Sequence, residues 1–82
     1  MILGKVIGSI ISTRKQENLV GNKFMIVEPL DVMAGAGRIV AIDHIGAGIG
    51  ETVLVVQGSA ARIGSGMPEA PIDAAIVGIV DD

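Results

Sequence analysis

The sequence predicts an all-β fold, a small barrel of five strands with one short helical turn. Half of the 82 residues are hydrophobic, yet Phe24 is the sole aromatic residue. The core must therefore be aliphatic, and β-branched aliphatic side chains pack well in strands. Twelve glycines are spread along the apolar runs, which is typical of tight turns and bent strands. The length is that of one domain, expected over residues 1–82.

Five apolar segments separated by short links are the predicted strands, and five strands so linked favour a small barrel. The predicted strands cover residues 2–12, 23–30, 38–45, 52–57 and 74–80. In the first strand, Gly4 and Gly8 share a face and allow the coiling that a closed barrel needs. Pro29 closes the second strand, because proline cannot donate a hydrogen bond to the ladder.

The connections differ in composition, and one of them is expected to be helical. Residues 13–18 are predicted to form a polar loop, Gly21 and Asn22 a turn, and residues 31–37 a turn or short irregular segment rich in small residues. A short helical turn is expected to begin at Ser59, whose side chain is the predicted N-cap. Residues 64–71 form a flexible connection to the last strand.

The fourth strand contains four branched aliphatic residues in succession, which place apolar side chains on both of its faces. One face can fill the core, and in so small a chain the other face needs a second cover. Leaving Val53 and Val55 in water would forgo about 1.5 to 3 kcal/mol each, against a total stability of about 5 to 10 kcal/mol. We therefore expect a homo-oligomer, with Val53 and Val55 at the contact between subunits.

Charge and composition exclude several classes of protein. The formal net charge is −3 and the single Phe offers no series of stacking rings, so neither nucleic acid nor a membrane is an expected partner. The absence of cysteine excludes disulfides and thiolate metal sites. No apolar segment reaches the roughly 18 to 20 residues of a membrane helix, and no leader is recognisable, so we expect a soluble intracellular protein.

A glycine-rich loop precedes the fourth strand. Its spacing, Gly46-x-Gly48-x-Gly50, differs from the dinucleotide-binding pattern G-x-G-x-x-G, because Glu51 stands where the last glycine would be. No helix is expected after it to bind a phosphate. Two interpretations remain: a loop that packs tightly around an axis or opening, and a simple turn between strands.

The residue types of a hydrolytic triad occur in Asp43, His44 and Ser59. Adjacent strand residues point to opposite faces, however, so Asp43 is badly placed to orient the His44 ring. Metal binding by His44 with Glu51 or Asp43 lacks any ligand spacing, and no cofactor is expected. Glu51 and Arg62 can form an ion pair within or between subunits, or both can be solvated.

Eight segments in order along the chain resemble the EutN/CcmL family of bacterial microcompartment vertex proteins. They are residues 3–6, 12–15, 19–23, 27–31, 40–43, 46–54, 58–62 and 71–81. The glycine loop, the Gly-Ser-x-Ala-Arg turn and the Asp-Ala-Ala-Ile-Val-Gly-Ile-Val terminus are together highly specific. Departures are small: Phe24 and its neighbours replace a more aliphatic run, and Ala60 stands where a second serine is frequent.

The resemblance implies an OB-like β-barrel that forms a homopentamer and caps the five-fold vertices of a microcompartment shell. It further implies that the shell is built with hexameric shell proteins, that it lies in the bacterial cytoplasm, and that this chain is not a catalyst. It places Ser59, Ala60 and Arg62 at or close to a subunit contact. The loop implied to lie near the five-fold axis consists of Gly46, Ala47, Gly48, Ile49, Gly50 and Glu51. Two alternatives are an OB-like ligand- or peptide-binding module, which would be a monomer or dimer, and a small hydrolase that uses His44.

Overall fold

The computed structural model describes residues 1–12, 15–30 and 37–81. Its five strands close into a barrel in the order β1-β2-β3-β5-β4, which confirms the predicted five-stranded β-barrel. The elements are β1 (Ile2–Ile10), a 3₁₀ turn (Glu17–Leu19), β2 (Lys23–Pro29), β3 (Ile39–Asp43), β4 (Thr52–Gln57), α1 (Ser59–Gly64) and β5 (Ala74–Val80). Nearly all of the turn predicted over residues 31–37, and residues 13 and 14 of the predicted polar loop, lie outside the described residues.

All neighbouring strands are antiparallel except β3 and β5, which are parallel. β1 pairs with both β2 and β4, and its register with β2 shifts between Val6 and Gly8. A bulge of this kind increases local twist and helps a strand to wrap around a small barrel. A Cβ atom at Gly4 would overlap the Cγ1 atom of Val27. Glycine at this position therefore allows β1 and β2 to approach closely.

The barrel interior is filled by small and medium aliphatic side chains that alternate along the strands. In β2, Met25 and Val27 are buried, whereas Phe24 and Ile26 are only partly so. The buried interior cluster comprises Val6, Met25, Val27, Ala41, Ala47, Val53, Val55, Ala74 and Ile76. This is the aliphatic core that the composition predicts.

The structure corrects the expected role of Val53 and Val55. Both side chains are 0% exposed within the single chain, because they are the members of β4 that point into the barrel. They cannot contact a neighbouring subunit. The outward members of β4 are Leu54 and Val56, which are half-buried. The alternation was correct, but the assignment of the two faces was reversed.

A second apolar cluster lies on the outer face of β3 and β5. It contains Ile42, Ala61, Ala70, Ile72 and Ala75. Ala61 belongs to α1, and Ala70 and Ile72 belong to the connection that follows it, so the chain itself covers this part of its barrel. The outer apolar surface that another copy must cover is therefore smaller than the sequence suggested.

Several element boundaries differ from prediction, since β1 ends at Ile10 rather than at residue 12 and β2 at Pro29 rather than at residue 30. Two further differences have identifiable reasons. β3 ends at Asp43 rather than at residue 45, because the Asp43 carboxylate captures the backbone donors that follow it. The N-cap of α1 is Gly58 rather than Ser59, and no side chain caps the helix. Gly58 has φ +69°, a conformation that favours glycine. Within the described ranges, no helix has the length and apolar character needed to cross a membrane.

Candidate functional site

The glycine loop joins β3 to β4, and its three glycines are not equivalent. Gly46 has φ +97° and Gly50 has φ +94°, so the backbone of the loop itself requires glycine at both positions. Gly48 does not have a positive φ. A Cβ atom there would lie 3.1 Å from the Oε1 atom of Glu51, a tight contact with the end of a long side chain. In the described part of the chain, neither the φ angle nor a backbone contact therefore requires glycine at position 48.

The start of the loop is organised by Asp43, a buried carboxylate. Its Oδ1 atom accepts hydrogen bonds from the backbone N–H groups of Ile45 (2.9 Å) and Gly46 (3.1 Å), and its Oδ2 atom accepts one from Ala47 (2.8 Å). Aspartate commonly turns a chain in this way by bonding the N–H groups that follow it. The sequence interpretation considered Asp43 only for catalysis or metal binding and missed this role. An aspartate followed by a glycine turn at a strand end was the available signal.

Lys23 and Ala47 complete the anchor of the loop. The Lys23 ammonium lies 3.7 Å from the Asp43 Oδ2 atom and donates a hydrogen bond of 3.3 Å to the carbonyl oxygen of Ala47. Lys23 and Asp43 are direct partners in the β2–β3 ladder, which places the two side chains together. The methyl group of Ala47 is fully buried in the barrel core. The middle of the loop is thus held by both polar and apolar contacts.

The end of the loop is tied to β1 and to itself. The N–H of Gly50 donates to the carbonyl of Val6 (2.7 Å), and the N–H of Val6 donates to the carbonyl of Glu51 (3.0 Å). The Glu51 carboxylate accepts a hydrogen bond of 2.6 Å from the N–H of Gly48. Between these ties Ile49 is 67% exposed. The loop therefore has a defined shape and presents an apolar tip to its surroundings.

The residues considered for a hydrolytic triad do not act together. The Nε2 atom of His44 lies 2.6 Å from the Oδ1 atom of Asn22, whereas both Asp43 oxygens bond to the loop backbone. Ser59 is exposed at the start of α1. Over the described ranges, no group of three or more His, Cys, Asp or Glu side chains is positioned to hold a metal ion.

The residues expected near a subunit contact lie on α1. Ser59 and Ala60 are exposed, while Arg62 is half-buried and its NH1 group donates to the carbonyl of Ile72 (3.4 Å). Within the described part of the chain, the ion pairs are Lys23 with Asp43 and Arg38 with Glu28. Glu51 and Arg62 therefore do not pair inside the chain, and their pairing between subunits stays a prediction.

A shallow groove lies beside the loop, between β3, β5 and the end of α1. Its volume is about 240 Å³, and Ile45 and Val77 line it together with Ile42 and Ala75. Ile45 is 47% exposed and Val77 is 38% exposed. The sequence interpretation did not single out this groove, because it forms only when α1 packs against the outer face of the barrel.

Comparison with known proteins was made for the whole chain. A sequence model of the family described as ethanolamine utilisation protein EutN/carboxysome matches residues 1–81. The bacterial microcompartment shell vertex protein GrpN of Rhodospirillum rubrum (strain F11) is 47% identical over 83 residues, covering 99% of this chain and 93% of GrpN. The shell vertex protein EutN of Escherichia coli (strain K12) is 40% identical over 84 residues, covering 100% of this chain and 88% of EutN.

Solved structures agree with this similarity. The GrpN pentameric microcompartment shell protein from Rhodospirillum rubrum has a TM-score of 0.86 and 45% identity, covering 100% of this chain and 95% of that one. CcmL from Gloeobacter violaceus has a TM-score of 0.89 and 38% identity, covering 99% of this chain and 86% of that one. The chain belongs to the EutN/CcmL family, whose curated relatives include shell vertex proteins of bacterial microcompartments and of carboxysomes.

Proposed function

We propose that this chain forms a homopentamer that caps the five-fold vertices of a bacterial microcompartment shell. The observation that carries the proposal is its end-to-end similarity, in sequence and fold, to a pentameric microcompartment shell protein. The similarity covers the glycine loop and α1 as well as the five strands of the barrel. A role that depends on the whole surface of the subunit is therefore supported better than one that depends on a single pocket.

The surface of the chain is suited to association with further copies. Leu3 and Leu54 are opposite each other in the β1–β4 ladder, and both retain exposed area. Ile49 projects from the loop, and Ile45 and Val77 border the groove. Burying apolar area stabilises a complex by about 25 cal/mol per Å². Apolar patches at different places on one subunit suit the head-to-tail contacts that close a ring.

Within this ring, the glycine loop would lie near the five-fold axis. Gly48 supports that position, because its lack of a side chain is explained neither by its φ nor by a rigid neighbour in the same chain. Ser59, Ala60 and Arg62 on α1 would lie at or near the contact with the next subunit. Glu51 and Arg62, which do not pair within the described chain, would then be available to pair across that contact.

The proposed work is geometric, with no bond made or broken. A five-fold ring among six-fold tiles lets a flat layer curve and close, so hexameric shell proteins would be its neighbours in the shell, in the bacterial cytoplasm. Absence of catalysis is supported by the engagement of Asp43 with the loop and of His44 with Asn22. Asp43 and His44, the two groups considered for general base chemistry, thus both have structural partners.

Light scattering coupled to size exclusion tests the oligomeric state directly. Five copies of the 8.3 kDa chain have a mass of about 41.5 kDa. A stable species of that mass at micromolar concentration is expected. A folded monomer or dimer would overturn the proposal and favour the alternative of a ligand- or peptide-binding barrel.

Co-expression with a hexameric shell protein tests the vertex role separately. Electron microscopy should show open sheets or tubes when the tile protein is expressed alone and closed polyhedral particles when this chain is present. A pentamer that leaves the sheets open would contradict the vertex role while preserving the oligomeric state.

A further inference from the structure

We propose that Asp43 is a positioning residue for ring assembly: its buried carboxylate sets the shape of the glycine loop that meets the neighbouring copies of this chain, while the barrel folds without it. The inference rests on the proposed pentamer and adds to it a residue that controls assembly. Asp43 does so from inside the subunit, since it is only 4% exposed and is not available for contact with another chain.

The burial of the charged Asp43 side chain has an energetic cost that other interactions must offset. Asp43 is the one charged residue that is buried in the described part of the chain. A carboxylate removed from water is costly unless it is hydrogen-bonded and paired. Its compensation comes from three loop N–H groups and from the ammonium of Lys23. All three hydrogen bonds go forward to residues 45–47, so the interactions of this side chain are directed at the loop.

The barrel has other sources of stability. Asp43 is the last residue of β3, where the strand ladder ends, and the interior cluster is aliphatic. The loop, by contrast, has few other constraints at its start. Ile45 and Gly46 are exposed, and Gly46 needs φ +97° to follow the path that the carboxylate defines. Loss of the carboxylate should therefore release the start of the loop before it weakens the strands.

The substitution Asp43→Asn separates these two roles with little change in volume. Its amide offers a single acceptor oxygen where the carboxylate offers two. The oxygen can still accept from Ile45 and Gly46, but an NH₂ group then faces the N–H of Ala47, so donor meets donor. The amide also loses its charge interaction with Lys23. The expected result is a folded subunit with a displaced loop.

Native mass spectrometry over a dilution series measures the outcome. We expect Asp43→Asn to raise the concentration at which half of the ring has dissociated by at least tenfold. Hydrogen–deuterium exchange should accelerate at the amides of residues 45–47, while the amides of β1, β2 and β4 keep their protection. Asp73→Asn, at an exposed aspartate before β5, removes the same charge elsewhere and should leave the ring and its exchange pattern unchanged.

A second variant guards against an effect on folding alone. Gly46→Ala distorts the loop through its positive φ with the carboxylate intact, and it should weaken the ring in the same direction. An unchanged ring in folded Asp43→Asn would overturn the inference, as would an Asp43→Asn chain that loses protection throughout the barrel. The mass of the wild-type oligomer is measured before any variant is compared. If the wild-type chain is not a pentamer, the proposed function itself fails.

Discussion

Gly48→Val tests whether the glycine loop lies at a crowded axis, because the close contact that an added Cβ atom would meet within the described chain is with a side chain rather than with backbone. Gly48 lacks a positive φ, and its closest neighbour beyond the adjacent residues is the Glu51 carboxylate at 3.1 Å from a Cβ atom. That carboxylate can move by a few tenths of an ångström. In the isolated subunit we therefore expect the substitution to change the free energy of unfolding by less than about 1 kcal/mol, since replacing glycine in an allowed conformation is generally tolerated.

The expected effect on the ring is larger. If five copies of the loop meet around the axis, inserting a side chain overpacks each contact by about 1 to 3 kcal/mol, or roughly 5 to 15 kcal/mol for the closed ring. Gly46→Ala provides the contrast, because it should weaken the ring less than Gly48→Val does and the subunit more. Its positive φ imposes about 1 to 2 kcal/mol of strain on the subunit itself, although no atom of the described chain beyond the adjacent residues lies within 4 Å of the added Cβ.

Two measurements distinguish these effects. Thermal or denaturant unfolding of the dissociated subunit should rank Gly46→Ala as less stable than Gly48→Val, whereas native mass spectrometry should show the greater loss of pentamer for Gly48→Val. Gly48→Ala should give an intermediate loss. If Gly48→Val retains the wild-type pentamer at every dilution, the loop is not at a crowded axis and the argument from position 48 fails.

Three further substitutions test the fold and the site. Gly4→Ala should lower the free energy of unfolding by about 1 to 3 kcal/mol, because the added Cβ atom overlaps Val27. Urea titration measures this change, and a variant as stable as the wild type would contradict the close approach of β1 and β2. Val53→Ala truncates a fully buried side chain and should lower the free energy of unfolding by about 2 kcal/mol in the same assay. Unchanged subunit stability together with a dissociated ring would instead show that Val53 lies at a subunit contact. His44→Ala removes an exposed contact with Asn22 and should lower stability by about 0.5 to 1.5 kcal/mol, with an unchanged mass by light scattering; dissociation of the ring would place His44 at a contact.

The strands were predictable where apolar runs are bounded by turn residues. β4 (Thr52–Gln57) and β5 (Ala74–Val80) have their predicted limits. Which face of β4 points inward was not predictable, because four aliphatic residues in succession satisfy either choice. The pairing of β4 with both β1 and β5 decides it, and that pairing depends on residues distant in the sequence.

The position of the glycine loop between β3 and β4 was predictable, but its internal organisation was not. The glycine spacing identified the loop, yet only the backbone angles separate Gly46 and Gly50 from Gly48. The role of Asp43 required knowledge that β3 ends there and that Lys23 lies opposite it. Neither fact follows from periodicity, which extended the strand by two residues past the aspartate.

The closed order of the strands also limits how copies of this chain can join. Each of the five strands has a hydrogen-bonded neighbour on both sides, so no described strand has an edge that is unpaired along its whole length. Growth by endless strand addition, the usual hazard of an apolar β protein, is thereby made less favourable. Recognition between copies therefore depends mainly on side chains and loops, which favours an assembly of fixed number over an open fibre.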